Sequence, residues 1–405
     1  MSKMTPFKEL VSYEEALERI RTSIKPVNRT ESVPIGNALD RVLAEEIVAN
    51  MSVPPFDRAA MDGYAVKAEE TFEASSFTPK TLKLTETLCA GTSSNTVLGK
   101  GECVQVATGS PIPRGADAVV MVEFTERNGN NVNILKPVYP RANISPKGED
   151  IEEGKVVLKA GEQLFPARIG ALAALGRKKV EVYEKPSIAV VPTGTEIKEV
   201  GSSLKEGQIY DVNSYTLSSI INKNGAVPIK CKAVPDTTEE IRNSTEELLE
   251  HDMIVFSGGS SVGERDLLVS VIQEFGTVVF HGIQVKPGKP TLFALVAGKP
   301  VFGMPGYPTS CLLNAYILLV PAIRQMARLS PKMEKTMKAR LAKRVVSSTG
   351  RKQFLTVKTK GNQAYPVFKQ SGAITSMTEA DGYVILPINI DVIEKNQEVM
   401  VFLFD

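Results

Sequence analysis

Apolar and polar positions follow different periods in different parts of the chain. Between Ser187 and Met326, apolar runs of strand length alternate with helical patterns, and each run is almost continuous. Runs of this kind are typical of parallel strands that are covered by helices on both faces. The pattern therefore predicts a central, doubly wound and mostly parallel βα domain over residues 186–330.

The part of the chain before this domain is dominated by short strand patterns. Residues 29–151 alternate short apolar runs with polar turns and show no helical periodicity, which indicates a β-rich domain. The flanking segments 6–28 and 152–185 each contain one helical pattern, with Ser12 as the N-cap of the first and Pro166 at the start of the second. We predict that the two segments form one small α+β domain, into which the β-rich domain is inserted.

The last part of the chain, residues 331–405, again alternates apolar and polar positions, with turns at 360–362 and 381–382. This pattern predicts a small β-barrel or a sandwich, and the barrel is the form we assign to the domain. The predicted fold class is therefore multidomain α/β, with a central parallel domain, an inserted β-rich domain, a small α+β domain and a C-terminal β-barrel.

Composition narrows the class of protein. The formal net charge is only +2, so we expect no binding to nucleic acid or to an acidic membrane surface. The 4 cysteines form no CxxC pair and there are only 2 histidines, which makes a structural zinc site improbable and favours reduced thiols in a cytoplasmic protein. Residues 1–10 do not resemble a signal peptide, and the apolar run 312–323 is too short to span a bilayer.

Polar residues collect where the predicted strands of the central domain end. The segments concerned are residues 194–196, Asp236, 257–266, 286–290 and 304–308. Ligands of open α/β sheets bind beyond the carboxyl ends of the strands. We therefore expect these segments to converge on one edge of the sheet and to form a binding site there.

The chemistry of two of these segments favours an oxyanion. Glycines and serines between a strand and a helix expose several backbone N–H groups, which suits a phosphate. The residues of this loop are Gly258, Gly259, Ser260, Ser261 and Gly263. Lys286 and Lys289, held between prolines, add positive charge. Plain turn chemistry is the alternative for the loop taken alone, and solvated turn positions are the alternative for the lysines.

Asp236 and Asp266 end two strands of the same predicted sheet, and Asp62 and Asp150 are further candidate acids. Two carboxylates about 4 Å apart repel each other by several kcal/mol at a protein-like dielectric constant. A divalent cation such as Mg²⁺ would remove that repulsion and would also bind the phosphates of a ligand. The alternative for each aspartate is an ordinary helix N-cap or turn residue.

Several enzyme classes are not expected. The sequence contains neither a Walker P-loop nor a GxGxxG motif, which argues against a nucleoside triphosphatase and a dinucleotide-dependent enzyme. With 2 histidines, no Ser/His/Asp set is apparent, so acyl transfer is also not expected.

A family resemblance runs through most of the chain. The segment 53–65, which contains two prolines and two acids around small residues, resembles the signature of the molybdopterin molybdenumtransferases, the MoeA family that includes the C-terminal domain of gephyrin. Further matches follow in the order of the family, at 108–109, 148–151, 192–196, 207–211, 258–263, 286–290 and 305–308. Each match alone is weak, and together they are specific.

The resemblance implies four domains, of which the third is similar to the molybdopterin adenylyltransferases, and a homodimer with each site between the third domain of one chain and the second domain of its partner. It implies insertion of molybdate or tungstate into adenylylated molybdopterin, with release of AMP and with help from Mg²⁺. A molybdopterin adenylyltransferase is a possible partner. The alternatives are such an adenylyltransferase itself, which would leave segments 53–65 and 148–151 without a role, and a non-catalytic molybdopterin-binding scaffold.

Carried over by position, the resemblance assigns roles to individual residues. The implied catalytic residues are Asp62, Asp150, Asp236, Asp266, Lys286 and Lys289, with Asp236 and Asp266 as the metal ligands. The implied pocket residues besides the loop are Thr108, Glu196, Pro305 and Pro308. The chain departs from the family at Ser145 and Pro146, where bacterial members have arginine, and at Tyr307, where many members have asparagine.

Overall fold

The computed structural model describes residues 10–258, 267–347, 350–367 and 372–404. The chain divides into two compact units. The larger unit comprises residues 1–31, 40–42 and 182–405, and the smaller unit comprises residues 32–39 and 43–181. The four domain ranges predicted from the sequence are finer than this division and remain a prediction.

The first helix, α1 (Tyr13–Ser23), begins as its capping pattern predicts. The Ser12 hydroxyl accepts a hydrogen bond from the Glu15 N–H at 3.1 Å, which satisfies one of the donors that every helix leaves free at its N-terminus. The Arg19 guanidinium donates a 2.7 Å hydrogen bond to the Val279 carbonyl, so α1 is tied to a distant part of the larger unit.

The next part of the chain is β-rich, as predicted. Its elements are β1 (Thr30–Pro34), β2 (Ile47–Val48), β3 (Arg58–Ala59), β4 (Gly63–Val66), β5 (Lys80–Leu88), β6 (Glu102–Val106), β7 (Ala118–Met121), β8 (Thr125–Asn128), β9 (Asn131–Ile134), β10 (Ile144–Ser145), β11 (Val156–Leu158), α2 (Pro166–Ala174) and β12 (Lys179–Tyr183). Six strands form one mixed sheet in the order β7-β4-β6-β5-β9-β8. Alternate side chains of these strands, such as Leu82 and Leu84, fill its core.

The central domain of the larger unit follows. Its elements are β13 (Ser187–Pro192), β14 (Ile197–Lys198), β15 (Ile209–Tyr210), α3 (Asn213–Lys223), β16 (Val227–Lys230), α4 (Thr238–Glu247), β17 (Met253–Ser257), α5 (Leu267–Phe275), β18 (Gly276–His281), β19 (Val285–Lys286), β20 (Leu292–Val296), β21 (Lys299–Met304), α6 (Pro308–Asn314), a π-helical segment (Ala315–Leu319) and α7 (Val320–Met326). The main sheet has the order β16-β13-β17-β21-β20-β18. Its central strands β13, β17 and β21 are almost fully buried, which explains their continuous apolar sequence.

One strand of this sheet runs against the others. Strands β16, β13, β17 and β21 pair in parallel, whereas β20 is antiparallel to both β21 and β18. The reversal occurs at a two-residue hairpin turn in which Ala297 and Gly298 both have positive φ. Strand β18 is antiparallel to β20 and therefore runs in the same direction as the four parallel strands. Its carboxyl end lies at the same edge of the sheet as theirs. The predicted mostly parallel sheet is therefore confirmed.

The C-terminal region forms a closed barrel. Its elements are β22 (Thr336–Leu341), β23 (Val345–Val346), β24 (Lys352–Lys360), β25 (Gln363–Pro366), α8 (Thr375–Glu379), β26 (Gly382–Leu386), β27 (Val392–Ile393) and β28 (Glu398–Leu403). Strands β24, β25, β22, β28 and β26 pair in sequence, and the pairing of β26 with β24 closes the circle. Of the two predicted forms, the barrel is confirmed, and closure leaves it without an exposed edge strand. Strand β19 of the central domain adds to β24 in parallel.

An ion pair with one buried partner, Asp252, lies at the amino end of the central sheet. The Asp252 carboxylate, whose side chain is 9% exposed, accepts two hydrogen bonds from the Arg29 guanidinium at 3.0 and 2.9 Å and one from the Ser187 N–H at 2.9 Å. Burial alone would raise the pKa of Asp252. The hydrogen bonds and the charge of Arg29, aided by Lys299, outweigh burial and hold that pKa below its usual value.

The apolar run 312–323 forms a mostly buried helix that spans α6, the π-helical segment and α7. Within the described residues, no helix combines the length and the apolar character that a membrane span requires.

Candidate active site

The turn after β13 brings a carboxylate close to the main chain. Gly194 adopts a φ of +130°, and a Cβ atom there would lie only 2.5 Å from a carboxylate oxygen of Glu196. Glycine is needed here for the backbone conformation, and a side chain at position 194 would also displace the Glu196 carboxylate from its present position. The predicted pocket residue Glu196 is therefore placed at the carboxyl edge of the sheet.

Gly258 joins this turn to the turn that follows β21. Its φ is +104°, and a Cβ atom would lie 2.8 Å from the carbonyl oxygen of Thr193. Its N–H group donates a 3.1 Å hydrogen bond to the Met304 carbonyl. A Cβ atom on Gly306 would in turn lie 3.6 Å from the Gly258 Cα atom. Three glycine turns thus meet at one point, as the sequence predicts, with Pro305 and Pro308 on either side of Gly306.

Asp236 lies at the same edge and is not the cap of the following helix. The N-cap of α4 is Thr237, whose hydroxyl accepts a 3.3 Å hydrogen bond from the Glu240 N–H. The Asp236 residue as a whole is solvent-exposed, but partial burial of its carboxyl group raises its pKa, and repulsion from the Glu196 carboxylate adds to the rise. These two acids therefore interact electrostatically across the strand ends.

The carboxylates at this edge of the sheet are ligands of the kind that a hard cation prefers. Among the described residues, no three Asp, Glu, His or Cys side chains come together as a metal cluster. Mg²⁺ is commonly held by one or two carboxylates, with water and ligand phosphates completing its octahedron. Asp236 and Glu196 supply two carboxylates that repel each other, so the residues present fit this ion.

The lysine loop between β19 and β20 is fixed by its main chain. Lys286 pairs with Gln353 on strand β24 of the barrel, and its side chain is exposed. The Lys289 carbonyl accepts hydrogen bonds from the N–H groups of Ile283 and Thr291, both at 3.0 Å. Lys286 is thus placed by a strand pairing, and the main chain of Lys289 is held by hydrogen bonds within the loop.

Asp211 and Asn213, at the start of α3, have roles that the local sequence does not show. Asn213 is of a residue type that commonly caps helices, but here the Asp211 carboxylate accepts the 3.0 Å hydrogen bond from the Ser214 N–H. The Asn213 side chain instead donates a 2.8 Å hydrogen bond to the Gly306 carbonyl. It therefore supports one of the glycine turns, a role that a capping pattern in the sequence conceals.

Asp62 and Thr108 form a contact in the smaller unit. The Thr108 N–H and hydroxyl donate to the same Asp62 oxygen at 2.6 and 2.9 Å. These hydrogen bonds, the backbone one first, lower the pKa of Asp62. Both residues were predicted separately, from segments 46 positions apart, and the structure brings them together.

Asp150 lies on a loop that pairs with the proline-rich segment. The N–H groups of Asp150 and Ile151 both donate to the Val53 carbonyl, at 3.0 and 3.1 Å, and the Gly148 N–H donates to Pro54 at 2.9 Å. The Asp150 residue is exposed. The loop and one face of α2 line a cleft of about 670 Å³ within the smaller unit. The two family segments around 53–65 and 148–151 are therefore one structural feature.

The departures from the family have different surroundings. Ser145 is buried, receives a 3.4 Å hydrogen bond from Arg58, and donates one to Glu149. Its hydroxyl therefore links these two charged residues. Tyr307 is 65% exposed and precedes α6 without capping it through its side chain.

Some predicted residues lie outside the described part of the chain. They are Gly259, Ser260, Ser261, Gly263 and the predicted metal ligand Asp266. The remaining predicted residues divide between the two units. Glu196, Asp236, Gly258, Lys286, Lys289, Pro305 and Pro308 belong to the larger unit, and Asp62, Thr108 and Asp150 to the smaller one.

Three family models match the chain in order. Residues 11–176 match the MoeA N-terminal region (domain I and II), residues 189–325 match a probable molybdopterin binding domain, and residues 338–404 match the MoeA C-terminal region (domain IV). The matches cover most of the chain, and they include the predicted acids of both units.

Relatives and solved structures agree with these models. A putative molybdopterin biosynthesis protein of Methanocaldococcus jannaschii is 33% identical over 95% of each chain. A molybdopterin molybdenumtransferase of Staphylococcus aureus is 32% identical over 93% of this chain and 91% of its own. The crystal structure of a molybdopterin biosynthesis MoeA protein from Pyrococcus horikoshii is 43% identical, covers 98% of this chain and all of its own, and gives a TM-score of 0.86. The chain therefore belongs to the MoeA family of molybdopterin molybdenumtransferases.

Proposed function

We propose that the chain is a molybdopterin molybdenumtransferase of molybdenum cofactor biosynthesis, which inserts molybdate or tungstate into adenylylated molybdopterin and releases AMP. The observation that carries the proposal is the meeting of three glycine turns with the Glu196 and Asp236 carboxylates at one edge of the sheet. Family membership over the whole chain supports the same reaction. The proposed setting is the cytoplasm.

Each predicted site residue of the larger unit has a proposed task. The main chain around Gly258 and Gly306 comes close to bound phosphate, because no side chain stands in the way. Lys286 and Lys289 bind the incoming oxyanion through charge-assisted hydrogen bonds. Asp236, with Asp266, holds Mg²⁺, which would neutralise the charge of the phosphates when bound. In the net reaction the two dithiolene thiols replace one oxygen of molybdate, which leaves as water, and one water molecule hydrolyses the phosphoanhydride bond, so that AMP leaves and the phosphate stays on molybdopterin.

The test of this reaction is AMP release by the purified full chain. Adenylylated molybdopterin with molybdate and Mg²⁺ should yield AMP and metal-containing molybdopterin in equal amounts. Without molybdate or tungstate, AMP release should fall to the background rate. Formation of adenylylated molybdopterin and pyrophosphate from molybdopterin and ATP would instead identify an adenylyltransferase, and tight molybdopterin binding without turnover would identify a scaffold.

We further propose a homodimer in which each site uses both chains, because Asp62 and Asp236 belong to separate compact units. If so, Asp62→Ala and Asp236→Ala chains should each be inactive alone and should recover activity when mixed. Random exchange gives half heterodimers, each with one intact site, so about a quarter of wild-type activity is expected. Heterodimers that form but show no recovery would contradict a shared site.

The proposed partner that supplies the substrate is a molybdopterin adenylyltransferase, because the proposed substrate is its product. AMP release from purified adenylylated molybdopterin does not require contact between the adenylyltransferase and this chain.

A further inference from the structure

Asn314 is a fully buried polar residue at the end of α6, the helix that begins at Pro308. Its side-chain amide donates a 2.8 Å hydrogen bond to the Gly288 carbonyl and a 2.7 Å hydrogen bond to the Thr291 hydroxyl. The Thr291 hydroxyl donates in turn to the Gly288 carbonyl at 3.0 Å. A buried amide on the helix is thus bonded directly to the lysine loop.

The packing around Gly288 shows how closely the loop is fitted to this side chain. Gly288 has a φ of +96°, and a Cβ atom there would lie between 2.3 and 2.6 Å from three atoms of the Asn314 amide group. The loop can approach Asn314 only because position 288 has no side chain. Gly288 stands between Lys286 and Lys289, so its position sets the positions of both lysines.

The hydrogen bonding of Asn314 is also incomplete. Its Oδ1 oxygen is buried and has no hydrogen-bond partner among the described residues. An unpaired buried carbonyl costs folding free energy, which offsets part of what the two amide hydrogen bonds contribute. Net stability alone is therefore a weak reason for asparagine at this position.

We propose that Asn314 is a positioning residue, which holds the loop 286–291 so that Lys286 and Lys289 point their charges at the incoming oxyanion. The inference rests on the proposed function, because it takes these lysines to be the oxyanion ligands. Asn314 itself does not touch the substrate. It also links two segments of the site, because α6 starts at the turn that contains Pro305 and Pro308.

The test compares Asn314→Leu in two backgrounds, with molybdate titrated calorimetrically into the full chain. In the wild-type background, misplacement of the lysines should weaken molybdate binding about tenfold. In a Lys286→Ala/Lys289→Ala background, which already binds molybdate more weakly, Asn314→Leu should change the affinity less than about twofold, because its effect passes through the lysines. The melting temperature of Asn314→Leu should fall by an amount similar to that of the control variant below, so that only the molybdate affinity separates the two variants.

The matched control is Asn224→Leu. Asn224 is another buried asparagine, whose amide donates a 2.8 Å hydrogen bond to the Ile220 carbonyl at the end of α3. Its replacement should lower the melting temperature and leave the molybdate affinity unchanged. If Asn314→Leu does not fold, Thr291→Val replaces it in both backgrounds, because valine keeps the shape and removes the hydroxyl that bonds Asn314 and Gly288.

Three outcomes are distinguishable. If Asn314→Leu lowers the molybdate affinity in the wild-type background but not in the double-lysine background, the inference is supported. Equal losses in both backgrounds, or a lower melting temperature with unchanged affinity, overturn it and leave the role of the lysines standing. A double-lysine variant that binds molybdate as the wild type does overturns both the lysine role and the inference.

Discussion

Asp236→Asn is expected to lower the rate of AMP release by about a hundredfold or more, which corresponds to a loss of about 3 kcal/mol of transition-state stabilisation. The reason is the removal of a negative charge that interacts with Glu196 and, as proposed, with Mg²⁺. The same change should leave the fold intact, because Thr237 rather than Asp236 caps α4. Rates are measured as AMP release, with a melting curve as the check on folding.

The pH dependence of Mg²⁺ binding gives a second readout that does not depend on turnover. Partial burial and Glu196 raise the pKa of Asp236, and only the ionised carboxylate binds a cation. Calorimetric Mg²⁺ affinity should therefore increase as the pH rises through this raised pKa and then level off. Asp236→Asn should bind Mg²⁺ more weakly and lose that step. A folded variant with the Mg²⁺ affinity and AMP release of the wild type would show that Asp236 has no such role.

Arg29→Met is expected to lower the free energy of unfolding of the larger unit by about 2–3 kcal/mol, measured from the urea transition at pH 7. The change leaves the Asp252 carboxylate buried without its main partner. The expected loss of stability is smaller than for a fully buried pair because the Arg29 side chain is itself 53% exposed. Adding Asp252→Asn to Arg29→Met should restore part of the loss, because an amide has no charge to leave unpaired.

Low pH should reduce the difference in the free energy of unfolding between the wild type and Arg29→Met. The folded-state pKa of Asp252 lies below its unfolded value, so its stabilisation is complete above the unfolded pKa of about 4 and is lost as the pH falls through the folded value. The gap in urea midpoint should therefore be full at pH 7 and should narrow below about pH 4. A gap that is constant over this range would assign the loss to packing rather than to the ion pair.

The sequence predicts the convergence of the site well, for a physical reason. Gly194 and Gly258 have positive φ, and a Cβ atom on Gly258 would collide with the Thr193 carbonyl oxygen of the neighbouring turn, so the geometry restricts the residue type directly. The carboxyl edge of a parallel sheet then brings such turns together. Ser12 was likewise predictable as a cap, because a cap depends on residues only three positions away.

Other features depend on distant contacts that no local pattern contains. Asn213 has the composition of a cap, but its amide reaches Gly306, 93 positions further along the chain. Asn314 lies inside an apolar helical run, and only the structure shows that Gly288 is its partner. The reversal of β20 was also missed, because a buried antiparallel strand is as continuously apolar as a parallel one. Positioning residues of this kind are therefore the part of a site that sequence reasoning finds last.

The attachment of α1 has a consequence for the order of events during protein synthesis. The Tyr13 hydroxyl donates to the Ile317 carbonyl, which is 304 residues further along the chain, and Gln325 donates to the Arg21 carbonyl. At roughly 5–20 residues per second, a ribosome adds these partners about 15–60 seconds after α1. Residues 43–181 of the smaller unit are complete well before then and can form their sheet. In the nascent chain, α1 therefore stays without its partners until long after that sheet has been made.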